Sequence, residues 1–165
     1  MSNPSNKDLL RHFLEKSWAE TYRAQIGDEV TSSIIAGLGD ESLGGILSCN
    51  KEKVEEKVIV VMEDQHIVAC CVYATRHDIT YIWAFYVLQA LQHMGIGRNI
   101  VELIIGRGLN QNTLQVTALQ VSKDAVHFYE RLGFLMTDAV QFQLTPGHEE
   151  PALTMKMRPR GYRRK

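Results

Sequence analysis

The residues best suited to chemistry lie in one short run, Gln92-His93-Met94-Gly95-Ile96-Gly97-Arg98, set between a β-type stretch and an amphipathic segment. Amides at such a place lead into the first turn of a helix, where N–H groups lack partners and can hold an anion. Glycine at 95 and 97 removes side chains that would block a pyrophosphate, while the helix dipole and Arg98 favour its negative charge. Two familiar phosphate-binding spellings fail. The dinucleotide fingerprint wants a third glycine where Ile100 stands, and the P-loop wants Gly-Lys-Ser/Thr where Arg98 and Asn99 follow Gly97. The cysteines, Cys49, Cys70 and Cys71, form no C-x-x-C pair and no His-assisted ligand spacing, so no metal is expected. In an extended strand Cys70 and Cys71 point to opposite faces, one buried and one half-buried. His66, His77, His93 and His127 are expected at the surface.

The elements that must position this run follow from periodicity. Leu9, Leu10, Phe13, Leu14, Trp18 and Tyr22 fall on one face of a helix over 7–25, with Ser5 and Asn6 as caps. A second helical segment covers 28–38, and Gly37, Gly39, Gly44 and Gly45 break it. The charge run 51–57 reads as a solvated face. Three antiparallel strands are expected over 58–62, 66–74 and 80–88, the first turn being Asp64-Gln65. A helix spans 95–109, a strand 114–119, and a further helix 123–132, capped by Ser122 and stopped by Gly133. Strands over 135–144 and 152–157 close the chain. Alternation along the third strand puts Tyr81, Trp83, Phe85 and Val87 on one face and Ile82, Ala84 and Tyr86 on the other.

With 165 residues, 45% of them hydrophobic, the chain suits a single domain over 1–157 with a basic tail over 158–165. A net charge of −1 argues against nucleic acid and anionic membrane as partners. The polar first residues do not resemble a secretory signal, and no run approaches the roughly 18 to 20 apolar residues of a membrane span, so a cytoplasmic location is expected. The tail, from Arg158 to Lys165, is expected to be disordered.

The stretch from Val87 to Gly97 resembles the coenzyme A signature of GNAT acetyltransferases, a valine-ending strand followed by Arg/Gln-x-x-Gly-x-Gly. Ala125-Val126-His127-Phe128-Tyr129-Glu130-Arg131-Leu132-Gly133-Phe134 is similar to the family's second signature, A-x-x-F-Y-E-x-L-G-F. Ser17-Trp18-Ala19-Glu20-Thr21-Tyr22-Arg23 is similar to the first helix of a bacterial-type subgroup. The resemblance implies an α/β (α+β) fold, a mixed, mostly antiparallel sheet flanked by helices, whose strands at 87 and 114 splay apart around coenzyme A. The short strand that normally precedes the first helix is missing. Backbone groups at Tyr86 and Val87 then pair with the pantetheine arm, and amides of Gln92, His93, Met94, Gly95, Ile96, Gly97 and Arg98 hold the pyrophosphate, with Ser122 and Phe128 alongside. Gln89 replaces a common proline and Ser122 a common asparagine. Acetyl-CoA is the implied cosubstrate, and the partner is an amine, small molecule or peptide; the resemblance also allows a homodimer.

An amine attacking a thioester must lose a proton, the developing oxyanion must be stabilised, and the departing thiolate must be received. Tyr129 matches the family's acid position. Full proton transfer from a phenol near 10 to a thiolate near 8.5 is uphill by about 2 kcal/mol, so hydrogen bonding counts for more than donation. The expected oxyanion donor is a backbone N–H near Val87. The run from Thr80 to Val87 lacks the glutamate that many relatives use as base, leaving water, relayed through Tyr81 or His77, or an acceptor of low pKa. Trp18, Tyr22, Tyr81 and Trp83 are candidates for an acceptor pocket, and core packing accounts for the same residues. The alternative to an N-acetyltransferase is a non-catalytic acyl-CoA sensor or scaffold.

Overall fold

The structure is a computed structural model that describes residues 6–36, 55–109 and 111–158. The expectations for Ser5, the glycine-rich stretch, Cys49, most of the charge run and nearly all of the tail lie outside these residues. Helix α1 (Asn6–Ile26) is followed by α2 (Asp28–Ala36). Gly27, at φ 86°, separates them, and its carbonyl accepts both the N–H and the hydroxyl of Thr31. Strands β1 (Lys57–Glu63), β2 (His66–Arg76) and β3 (Ile79–Val87) form successive antiparallel hairpins. Asp64 and Gln65, at φ 46° and 67°, make the tight first turn with both central residues left-handed. The second turn is His77-Asp78, and all of His66, His77, His93 and His127 are exposed.

After β3 come α3 (Ile96–Ile104), a π-helical turn, β4 (Thr113–Leu119), α4 (Lys123–Leu132), β5 (Leu135–Thr145) and β6 (His148–Met157). The six strands described run β1-β2-β3-β4-β6-β5, and β3 with β4 is the parallel pair. The resulting fold is a mixed, mostly antiparallel sheet flanked by helices, as expected. Gly133 ends α4 at φ 101°, the left-handed cap that needs no Cβ. Among the described residues no helix is long and apolar enough to cross a membrane.

Both sheet faces are covered. Leu10, Phe13, Leu14 and Trp18 of α1, with Ile34 of α2, pack on Cys70, Val72 and Ala84. On the opposite face Ile100, Val101 and Ile104 of α3 and Tyr129 of α4 pack on Cys71, Ile82, Leu114 and Val116. Cys70 and Cys71 are therefore both fully buried, which corrects the expectation of one half-buried thiol: β2 has helices over each side.

Candidate active site

The sheet opens at its centre. β3 pairs with β4 only from Ile79 to Ile82, opposite Thr113 to Val116; β3 then continues along β2 and β4 along β6. The cause lies in β3 itself. Val72 faces Trp83 and Cys70 faces Tyr86, so two steps of β2 span three of β3, and Ala84 takes φ 44°. Such a bulge bends a strand and interrupts its ladder. It occurs where the pairing with β4 ends.

The bulge also reassigns side chains. Phe85 and Val87 join Ile82 on the α3/α4 face, whereas Trp83 and Tyr86 pack toward α1. The expected grouping of Tyr81, Trp83, Phe85 and Val87 is thus corrected: regular alternation fails at the inserted residue. Leu88 N–H bonds Val68 across the sheet, which turns the N–H of Val87 toward the gap. Gln92 Nε2 donates to the Val87 carbonyl at 3.1 Å, tying the following loop to the strand end.

Gly95 caps α3 at φ 84°, with open space where a Cβ would stand. The first helical bond runs from Asn99 N–H to Gly95 carbonyl, so the amides of Ile96, Gly97 and Arg98 precede it and have no partner within the helix. Gly97 serves a second purpose. A Cβ there would meet Phe128 Cζ at 2.8 Å and Cε2 at 3.0 Å, so its smallness lets α3 lie against the ring. That ring meets Phe85 and Tyr129 edge-on, with centroids 5.7 and 5.2 Å away.

A cavity of about 1180 Å³ runs through the gap from one sheet face to the other. It gathers Tyr86, Val87, Gln92, His93, Gly95, Ile96, Gly97, Arg98, Ser122, Phe128 and Tyr129 with Tyr22, Tyr81 and Trp83. Three sequence candidates fall outside it. Met94 is 69% exposed on the outer side of the turn. Trp18 has no exposed surface and packs edge-on against Tyr86, so its place in an acceptor pocket is corrected to the core beneath it. His77, in its hairpin turn, is also absent from the lining. Ser122 departs from its expected capping role: its hydroxyl donates to Gln25 Oε1 at 2.8 Å and accepts from no backbone N–H of α4.

Sequence reasoning missed Ser17, Glu20, Thr21, Ala24 and Gln25, which also line the cavity. Their spacing of three and four is the helical signal that could have found them, beside the buried stripe of α1. Glu20 supplies a carboxylate on this side, the type missing from the cavity-lining part of β3. Among the described residues no group of three His, Cys, Asp or Glu gathers as a metal site would require.

Phenols converge on the gap from both faces. Tyr22 and Tyr86 hydroxyls lie 3.0 Å apart. Burial pushes the phenols of Tyr22, Tyr86 and Tyr129 above the ordinary range; neighbouring ionisable groups push Tyr86 and Tyr129 further up, whereas the hydrogen bond with Tyr86 pulls Tyr22 partly back. Tyr129 is therefore a neutral O–H donor throughout the physiological range. A helix start suited to phosphates, an unpaired strand edge and a buried phenol in one cavity fit an extended phosphate-bearing thioester.

The profile of the Acetyltransferase (GNAT) family matches residues 10–134. Curated protein sequences give no match. Among solved structures, the PaiA N-acetyltransferase of Thermoplasma acidophilum in complex with coenzyme A superposes with a TM-score of 0.71 at 15% identity, covering 93% of this chain and 92% of that one. The ribosomal-protein-S18-alanine N-acetyltransferase of Escherichia coli gives 0.58 at 17% identity over 99% and 97% of the two chains. An aminoglycoside 6'-N-acetyltransferase complexed with coenzyme A gives 0.63 at 14% over 98% and 95%. Likeness at such identities concerns the fold, and the matched profile spans three quarters of the sequence: the chain belongs to the GNAT family of acetyltransferases.

Proposed function

We propose that the protein moves an acetyl group from acetyl-CoA to a primary amine on a small molecule or peptide. The observation that carries this reading is the through-going cavity, which brings the α3 start, the free edge of β3 and Tyr129 together at the strand gap. Solved relatives of this fold hold coenzyme A or acetyl-CoA, which supports the donor. In this reading the donor enters from the α3/α4 face. The amides of Ile96, Gly97 and Arg98 hold its phosphates, the Val87 N–H faces the acetyl oxygen, and the Tyr129 hydroxyl donates to the departing thiolate. The amine enters from the α1 face, past Tyr22, Tyr81, Trp83 and Glu20. The comparisons lend no support to the non-catalytic alternative.

Thiol release measured across amine, aminoglycoside and peptide N-terminus panels tests the proposal. Tyr129→Phe is expected to lower kcat about 10- to 100-fold while the heat of coenzyme A association stays unchanged. Tight coenzyme binding without turnover on any acceptor would overturn it.

A further inference from the structure

Acyl transfer to an amine needs a path for the nitrogen's proton, and none of the residues of β3 that line the gap carries a carboxylate. Two phenols stand there instead. Tyr86 lies immediately before Val87, and the bulge turns its ring toward α1, away from Phe85 and Val87. Tyr22 reaches it from α1 with the hydroxyls at 3.0 Å, and both residues line the cavity. The fully buried indole of Trp18 meets the Tyr86 ring edge-on at 6.3 Å and 61°, which fixes its orientation. One hydroxyl of such a pair donates to the other, leaving a lone pair free at one end and an O–H at the other. Each phenol is neutral in its surroundings, so the pair can pass a proton without storing charge.

Resting on the acetyl-transfer reading, we propose that Tyr86 and Tyr22 form a two-member relay that carries the amine proton from the reacting nitrogen to water at the α1 mouth of the cavity. As the C–N bond forms, the N–H bond breaks and its proton binds the Tyr86 oxygen. The Tyr86 proton crosses to Tyr22, and the Tyr22 proton leaves to water. Both phenols end neutral, and the electron pair of the N–H bond remains on the amide nitrogen. Tyr86 is the catalytic residue and Tyr22 the positioning one. The relay is separate from Tyr129, which approaches from the α4 face and serves the thiolate.

The test pairs single variants with an isotope measurement. Tyr22→Phe and Tyr86→Phe keep both rings and are each expected to lower kcat about 10- to 100-fold, leaving KM for acetyl-CoA and the heat of coenzyme A association within twofold of wild type. The double variant is expected to lie within about twofold of either single, because the two act as one unit. In mixtures of light and heavy water, wild-type kcat is expected to bow, as it does when more than one proton moves, and Tyr22→Phe to give a straight line. Full kcat in either variant, losses that multiply, or a linear wild-type profile overturns the relay; the last of these needs no variant to fold. Absence of wild-type turnover on every amine would instead overturn the acetyl-transfer reading beneath it.

Discussion

Replacing Gly97 with alanine separates two roles that one glycine can serve. Its added Cβ would stand 2.8 Å from Phe128 Cζ, whereas ordinary carbon contacts begin near ~3.5 Å, so the ring or the helix must retreat by about 0.7 Å. The ring has little freedom, since Phe85 and Tyr129 brace it. Overpacking of this kind costs about 1–3 kcal/mol. Against it stands the helix preference for alanine over glycine, up to about 1 kcal/mol. The net expectation is a loss of about 1 kcal/mol, or ~2–4 °C in Tm for a chain of this length. In a Phe128→Leu background the obstructing ring atoms are gone, and the same substitution is expected to become neutral or stabilising by up to about 1 kcal/mol. Thermal unfolding of the four proteins of this cycle, with calorimetry of coenzyme A binding on each, reads the change of sign. Equal effects of Gly97→Ala in the two backgrounds would refute the packing argument and return the residue to a purely ligand-facing role.

Three further outcomes are expected. Gly95→Ala meets no neighbour but must hold φ near 84°, a cost of about 1 kcal/mol that Gly95→Asn should partly recover; both Tm and coenzyme A affinity are expected to follow that order, and equal values for the two would contradict it. Trp83→Ala should reorder preference among amine acceptors and leave coenzyme A affinity within twofold; a parallel loss of folding and both affinities would assign Trp83 to the core alone. Burial raises the Cys70 thiol from 9.0 to about 12, so folding favours its neutral form: that contribution is complete below pH 9 and is lost as pH climbs toward 12. Between pH 8 and about 10.5 the wild type should therefore lose roughly 2 kcal/mol more than Cys70→Ala in urea unfolding, and parallel pH curves would exclude the effect.

Much of the fold is legible in the chain because periodicity and punctuation agree. The stripe Leu10, Phe13, Leu14, Trp18 marks α1, Asp64-Gln65 marks a hairpin, and Gly133 marks the end of α4. The glycine turn before α3 is legible too, since the left-handed φ at residue 95 asks for that residue type. What escaped depends on contacts between distant segments. Nothing about alanine flags residue 84 as left-handed, so the bulge and its sorting of Trp83, Phe85 and Tyr86 are set by pairing with β2. A helical stripe says which side of α1 is inward but not that Trp18 is sealed while Tyr22 reaches the cavity. The ring against Gly97 and the glutamine that draws Ser122 from its capping role come from elsewhere in the chain.

Trp83 and Tyr86 take their sides from their β2 partners, Val72 and Cys70, and the extra residue between them supplies the bend. Dropping Ala84 would leave two steps on each strand between Val72–Trp83 and Cys70–Tyr86, so strict pleating would return with Tyr86 still toward α1 and Phe85 still toward α3 and α4, and the bend would go. A single-codon deletion at this point would therefore spare both walls and straighten the strand where β3 leaves β4, narrowing the opening between them.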